Sequence, residues 1–195
     1  LDPDTTNGTI LLYETTVVGR RTFYNNSAFD GYDPAANAAD DAAIATDKSA
    51  LLPGQTATFV NYTSYDAGIN GIMLDVSGLA ADPTLNDFEF HMGNTATPST
   101  WDVAPAPLGL PLRRVGAGTG GSDRITLIWA DGAIRKQWLA VRFKAAGTGM
   151  QTDDVLYFGN AVGESGNSAT EAQVNAADEL AARAHPRNLA NRAPI

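Results

Sequence analysis

The chain has 195 residues, and its 22 acidic and 13 basic side chains give a formal charge of −9 at pH 7. Because nucleic acids and anionic membranes attract basic surfaces, this balance argues against both as partners. The sequence contains no cysteine, which excludes a disulfide framework, a thiol nucleophile and a thiolate zinc site. No apolar run approaches the roughly 20 residues of a membrane-spanning helix, so membrane insertion is not expected.

The chain has only three lysines against ten arginines and is rich in Gly, Ala, Thr and Asn. Together with the acidic balance and the lack of cysteine, this composition is typical of a secreted bacterial protein. We therefore expect an extracellular or cell-surface location. An acidic chain of this kind also suits the binding of a hard cation.

The first predicted strand covers residues 9–18, which are rich in β-branched and aromatic side chains. Residues 1–8 precede it as an N-terminal arm, and residues 20–24 continue it or form a second strand. Turn-forming Asn, Asp, Gly and Pro residues then occupy residues 25–37. The Ala-rich stretch 35–46 predicts a short helical insertion.

From residue 55 onward, short alternating segments predict further strands separated by Gly, Pro, Asn and Asp turns. These predicted strands cover residues 56–63, 72–76, 87–92, 123–129, 137–144 and 155–158. Roughly eight short strands, each with one buried face, predict an all-β fold, a β-sandwich of jelly-roll type. We expect this sandwich to span residues 1–158.

Residues 159–195 are expected to form a separate C-terminal region with a calcium loop, a helix over 170–184 and an extended tail. Counting Asn167 as position 1 places oxygen-bearing side chains at positions 5, 7, 9 and 12, which is the spacing of a 12-residue calcium loop. These side chains belong to Glu171, Gln173, Asn175 and Asp178.

The predicted calcium loop lacks one ligand, because its position 3 is Ala169. Asn160, Glu164 or water are the candidates for supplying missing oxygen ligands. The alternative interpretation is that these residues only cap the start of the C-terminal helix.

Residues 174–183, with Val174, Asn175, Asp178 and Leu180, resemble a dockerin-type calcium-binding repeat. The longer stretch from Val17 to the C-terminus resembles a module of secreted planctomycete-type bacterial proteins. The resemblance implies calcium binding outside the cell. A dockerin normally uses two repeats to recognise a cohesin, whereas this chain carries one degenerate repeat, so cohesin binding is not expected.

A second acidic cluster lies in the turn-rich segment and comprises Asp30, Asp33, Asn37, Asp40, Asp41 and Asp47. Asp30, Asp33, Asp40 and Asp41 are its candidate metal ligands. Oxygen ligands in a turn suit a hard cation such as calcium. The alternative is that these aspartates cap a short helix and face solvent. Other aspartates, including Asp75, are expected to be turn residues.

Trp101 is the best candidate for an exposed ring that stacks on a sugar, because polar residues surround it. Trp129 and Trp138 lie in apolar strands, where we expect core packing. Neither His91 nor His185 has a nucleophile motif nearby, and the Gly-x-Ser-x-Gly pattern is absent from the sequence. We therefore do not expect an enzyme.

The sequence predicts a non-catalytic, extracellular, calcium-binding structural module. One form of it is a self-assembling subunit of a surface fibre or matrix, in which residues 1–18 add an edge strand to a neighbouring copy. The alternative for this strand is pairing within its own sandwich. Two alternative functions stay open: a carbohydrate-binding module that binds a polysaccharide, and a dockerin-like protein-docking module.

Overall fold

A computed structural model of the chain describes residues 14–168 and 172–184. This part of the chain is mostly β and contains nine strands, one α-helix and five short 3₁₀ turns. The strands and the helix are β1 (Thr16–Thr22), β2 (Tyr62–Thr63), β3 (Gly71–Ser77), β4 (Phe88–Gly93), β5 (Asp102–Val103), β6 (Leu112–Arg114), β7 (Asp123–Ile128), β8 (Trp138–Phe143), β9 (Asp154–Asn160) and α1 (Ala176–Ala184). No helix in these two ranges is long and apolar enough to span a membrane.

The strands form two sheets, one of order β1-β3-β7-β6 and the other of order β2-β9-β8-β4-β5. All the strand pairs are antiparallel except β2 and β9, which are parallel. The main hydrophobic core draws buried side chains from both sheets, such as Leu74 and Leu127 from the first and Val141 and Phe158 from the second. The predicted all-β, two-sheet architecture is confirmed.

Strand β3 is buried on both faces, which is unusual for an antiparallel strand. Its Leu74 faces the main core, whereas Met73 packs with Phe23, Ile44 and Ile128 in a second, smaller apolar cluster. Residues 24–44 supply much of this cluster, so this loop covers the outer face of the four-stranded sheet.

Several element boundaries differ from the sequence predictions. The structure places β1 at residues 16–22, and the part of the predicted strand 9–18 before residue 14 lies outside the described residues. The helical insertion is a 3₁₀ helix over Ala38–Ala43. Of the predicted strand 56–63 only Tyr62–Thr63 pairs as a strand, because the Asn61 side chain accepts a hydrogen bond from the Thr58 backbone N–H and closes a tight turn before it.

Candidate functional site

Two buried carboxyl groups meet where the loop after β9 reaches α1, and we call Glu164 and Asp178 the C-terminal acid pair. Each residue is only 2% exposed. Asp178 Oδ2 accepts a hydrogen bond from the Asn175 backbone N–H at 2.8 Å, and its Oδ1 accepts from the backbone and hydroxyl of Ser165, both at 2.8 Å. These hydrogen bonds, from Asn175 first and then Ser165, lower the pKa of Asp178 to about 2.

Glu164, the second member of the C-terminal acid pair, accepts fewer hydrogen bonds than Asp178. Glu164 Oε1 accepts a hydrogen bond from the Gly166 N–H at 2.9 Å, whereas Oε2 is buried and accepts no hydrogen bond. The Glu164 carboxyl also lies within hydrogen-bonding reach of the Asp178 carboxyl. The hydroxyl of Tyr62 is also buried and without a partner. Burial, followed by the negative charges of Glu164 and Asp178, raises the pKa of this hydroxyl. Two buried polar atoms without a partner, Glu164 Oε2 and the Tyr62 hydroxyl, thus occur in the same region, and a cation or a water would satisfy them.

The residues of the predicted calcium loop occupy different environments. The side chain of Asn175 caps α1 by accepting a hydrogen bond from Ala177 N–H at 2.8 Å, and with Asp178 it forms a capping box. The side chains of Asn167 and Gln173 are exposed, and the Gln173 carbonyl accepts a hydrogen bond from Asn175 Nδ2 at 3.2 Å. Glu171 lies outside the described residues. Helix capping accounts for Asn175 and for one oxygen of Asp178.

Asn160 is buried at the end of β9, and its side-chain amide forms hydrogen bonds with neighbouring loops. Its Oδ1 accepts a hydrogen bond from the Lys136 N–H at 2.9 Å, and its Nδ2 donates to the Tyr65 carbonyl at 2.8 Å. Weaker contacts from the same amide reach Thr63. Both ends of the Asn160 amide are therefore used in holding the loops together.

The four candidate metal ligands of the second acidic cluster divide into two kinds. Asp33 and Asp41 are fully engaged by partners: Asp33 accepts from Ala35 N–H at 2.9 Å and from the Asn37 amide at 2.8 Å. Asp41 forms ion pairs with Arg114 and Arg124. Asp33 therefore holds a turn and the side chain of the N-cap residue Asn37, and Asp41 has an ion-pair role.

The other two aspartates, Asp30 and Asp40, point inward and are 6% and 0% exposed. One oxygen of each side chain accepts backbone hydrogen bonds, while Asp30 Oδ2 and Asp40 Oδ1 are buried without a partner. Asn25 Oδ1, in the same loop, is also buried without a hydrogen-bond partner. We call Asn25, Asp30 and Asp40 the loop oxygen cluster. The sequence analysis did not include Asn25, because nothing in its local pattern marks an inward-facing amide.

The sequence analysis also missed a buried ion pair in the four-stranded sheet. Asp75, expected to be a turn residue, lies in the middle of β3, is fully buried and accepts two hydrogen bonds from Arg124 at 2.7 and 2.9 Å. Burial by itself would raise the pKa of Asp75, but hydrogen bonds from Arg124 and Thr119 outweigh it and lower the pKa to about 2. The signal in the sequence was one charge of each sign inside two apolar strands.

An open groove of about 710 Å³ lies on the outer side of the five-stranded sheet, and Trp101, Trp138 and Tyr157 line it. We call it the aromatic groove. A Cβ on Gly93 would come within 2.5 Å of the Trp101 ring, so only glycine lets this ring lie against the strand. Trp129 is buried in the core, as predicted, whereas Trp138 is only partly buried, because residues alternate along β8 and Trp138 faces outward.

Among the described residues, no group of three or more His, Cys, Asp or Glu side chains is placed to hold a metal ion together. The C-terminal acid pair and the loop oxygen cluster have two carboxylates each. Comparison with known proteins found no matching family model, no matching curated protein and no matching solved structure. Functional inference therefore rests on the geometry of these sites.

Proposed function

We propose that this protein is a non-catalytic, extracellular structural module whose fold is stabilised by calcium at the C-terminal acid pair. The observation that carries the proposal is the unpartnered Oε2 of Glu164, buried beside Asp178. A buried carboxylate oxygen without a partner is unfavourable, and a hard cation would satisfy it. Calcium accepts amide, carbonyl and water oxygens as well as carboxylates, so two acids are compatible with a complete coordination shell.

The remaining ligands in this proposal come from the loop spacing. Asn167, Glu171 and the Gln173 carbonyl are the proposed loop ligands, whereas the Asn175 side chain keeps its role as the cap of α1. Because Asp178 already accepts three hydrogen bonds, we assign it the role of supplying charge beside the ion, and Glu164 the role of direct ligand. A chain without disulfides gains most from such a link, since calcium at about 1,000 times its Kd contributes about 4 kcal/mol.

Three further parts of the proposal concern fold and assembly. We assign the sandwich to the jelly-roll type, which is supported by strands β1–β6 passing repeatedly between the two sheets.

Strand β1 is at an edge of its sheet order, which supports pairing with a strand from another copy in a surface fibre. Residues 1–13 of the proposed exchanging segment lie outside the described residues. Docking of the dockerin kind would require a second repeat.

Thermal unfolding with 2 mM calcium and then with excess EDTA tests the calcium proposal. We expect chelation to lower the unfolding midpoint by about 10 °C, because about 4 kcal/mol corresponds to such a shift for a chain of this size. The variant Glu164→Gln should lose most of this dependence. The matched control Glu179→Gln, at an exposed helix position, should keep it. An unchanged wild-type midpoint would overturn the proposal.

A carbohydrate-binding function is the second candidate, favoured by the aromatic groove. Partly exposed indole rings lying against a sheet, with the polar Gln55 and Asn94 beside them, suit stacking on sugar rings and hydrogen bonding to their hydroxyls. Pull-down with insoluble polysaccharides should capture the wild-type chain and lose Trp101→Ala. The control Tyr32→Ala removes an exposed ring from a different loop and should still bind. Equal retention of wild type and Trp101→Ala would remove this candidate.

A further inference from the structure

We propose that the loop oxygen cluster binds a second calcium ion, separate from the C-terminal acid pair and independent of it. The ligands are Asn25 Oδ1, Asp30 Oδ2 and Asp40 Oδ1. All three atoms are buried and lack a hydrogen-bond partner, and their residues are 2%, 6% and 0% exposed. Buried polar atoms are almost always paired, so three orphaned oxygens in one loop require a specific explanation.

Each of the three side chains is held in place through its other polar atom. Asp30 Oδ1 accepts hydrogen bonds from the N–H groups of Ser27 at 2.9 Å and Tyr32 at 3.0 Å. Asp40 Oδ2 accepts from the Asn37 N–H at 2.8 Å, within the capping box of the 3₁₀ helix. The loop therefore anchors one oxygen of each carboxylate and leaves the other free.

Asn25 is fixed in a similar way from the opposite end of the loop. Its Nδ2 donates to the Pro34 carbonyl at 3.4 Å, and its backbone N–H donates to Asn70 Oδ1 at 3.1 Å. The amide oxygen is thereby left as an acceptor without a donor. Three acceptors, anchored and without donors, form the kind of oxygen-only set that calcium prefers.

The charges around the cluster favour a cation. Asp30 and Asp33 both add negative potential at Asp40, whereas Arg114 is the positive group that opposes them. The two terminal nitrogens of Arg114 pair with Asp41, and its Nε is buried without a partner, so no nitrogen of this guanidinium donates to the free oxygen of Asp40. Two inward carboxylates with a net negative surrounding are costly to bury unless a proton or a metal ion neutralises them.

Calcium at the loop oxygen cluster would connect a different part of the chain from calcium at the C-terminal acid pair. Asn25 lies at the start of the loop and Asp40 fifteen residues later, so one ion would join the two ends of the segment that covers β3. The smaller apolar cluster, including Phe23 and Met73, lies beneath this segment. Calcium would hold the loop closed over that cluster.

Hydrogen exchange of the full-length chain at pH 7, with 2 mM calcium or with EDTA, tests this proposal. The reporters are the backbone amides of Ser27, Tyr32 and Asn37, which donate to the two aspartates. We expect them to exchange about tenfold more slowly with calcium. Asp40→Asn should abolish this difference. The matched control Asp33→Asn, whose carboxylate oxygens already have partners, should keep it.

Glu164→Gln separates this proposal from the C-terminal one. If both ions bind, this variant loses one of two calcium ions in a calorimetric titration and keeps the calcium protection of the loop amides. Loop amides that exchange equally with calcium and EDTA in the wild-type chain would overturn the second site, whatever happens at Glu164. Because the wild-type comparison needs no variant, it stands even if Asp40→Asn does not fold.

Discussion

Asp75 and Asp40 are both completely buried, yet the two regions that hold them treat the carboxylate in opposite ways. In the four-stranded sheet, both oxygens of Asp75 accept hydrogen bonds, chiefly from Arg124, and its pKa falls to about 2. In the loop over that sheet, one oxygen of Asp40 has no partner, and burial raises its pKa to about 6. Burial alone does not determine the charge of an acid; the partners that the fold supplies do.

Removing Asp75 should have the largest effect on stability. Asp75→Ala removes the buried partner of Arg124 and leaves this guanidinium only the partly exposed Asp41, and we expect a loss of about 3 kcal/mol in the free energy of unfolding. Denaturation by urea at pH 7 measures it. The control Asp82→Ala removes an exposed partner of Arg113 and should cost less than about 1 kcal/mol. Similar losses for the two variants would show that the buried pair is not the stronger contact.

Removing the charge of Asp40 should increase the stability of the fold when calcium is absent, whereas removing Asp75 should decrease it. The pKa of Asp40 in the folded chain lies above that of an unfolded aspartate, so its ionised form destabilises the fold. Asp40→Asn should therefore raise stability at pH 7 in EDTA by about 1 kcal/mol. The gain should shrink as the pH falls through 6 toward 4, because the wild-type carboxyl then becomes protonated.

Urea denaturation of wild type and Asp40→Asn across pH 4–7 in EDTA measures this dependence. For Asp75 the sign is reversed: its contribution is present above pH 4 and is lost as the pH falls toward 2. A constant difference between wild type and Asp40→Asn over this range would contradict the contrast between the two aspartates.

The cap at the start of α1 is expected to contribute less to stability than the buried aspartates do. Asn175→Ala removes the cap of α1 and should lower the stability of this helix by about 1 kcal/mol. Faster hydrogen exchange at Ala177 and Asp178 reports the loss. Gln173→Ala, two residues earlier and exposed, should leave these rates unchanged. If both variants behave alike, the capping hydrogen bond does not stabilise α1.

The smallest effect is expected for the exposed ion pair between Glu179 and Arg183, which are four residues apart on α1. Arg183→Ala should change the free energy of unfolding by less than about 0.5 kcal/mol, because solvent and salt screen such pairs. The measurement is urea denaturation at low and high salt. A larger loss would mean that the surroundings of α1 strengthen its exposed charges.

The alternation of apolar and polar residues along the chain was sufficient to predict the long central strands. In residues 87–92 the apolar side chains Phe88, Phe90 and Met92 share one face, and in β4 all three pack on the core. The edge strands β5 and β6 are too short, at two and three residues, to show any period. They exist because longer neighbours pair with them, which is information from distant parts of the chain.

The candidate sites were predictable only in part, for a similar reason. The density of aspartates between residues 30 and 41 predicted an acidic cluster in this loop. However, the sequence could not show that Asp30 and Asp40 turn inward while Asp33 and Asp41 find partners. Asp75 and Arg124 lie 49 residues apart, and only the antiparallel register of β3 and β7 places them opposite each other.

The loop that covers β3 gives the two sides of the sandwich different accessibility. Residues 24–44 seal the outer side of the four-stranded sheet, whereas the outer side of the five-stranded sheet presents the aromatic groove. A surface or bead coupled through the exposed Tyr32 would therefore leave the groove facing the solution. Coupling chemistry directed at Lys136, which lies near Trp138, would instead obstruct that side. The orientation of an immobilised sample thus decides which ligands it can report.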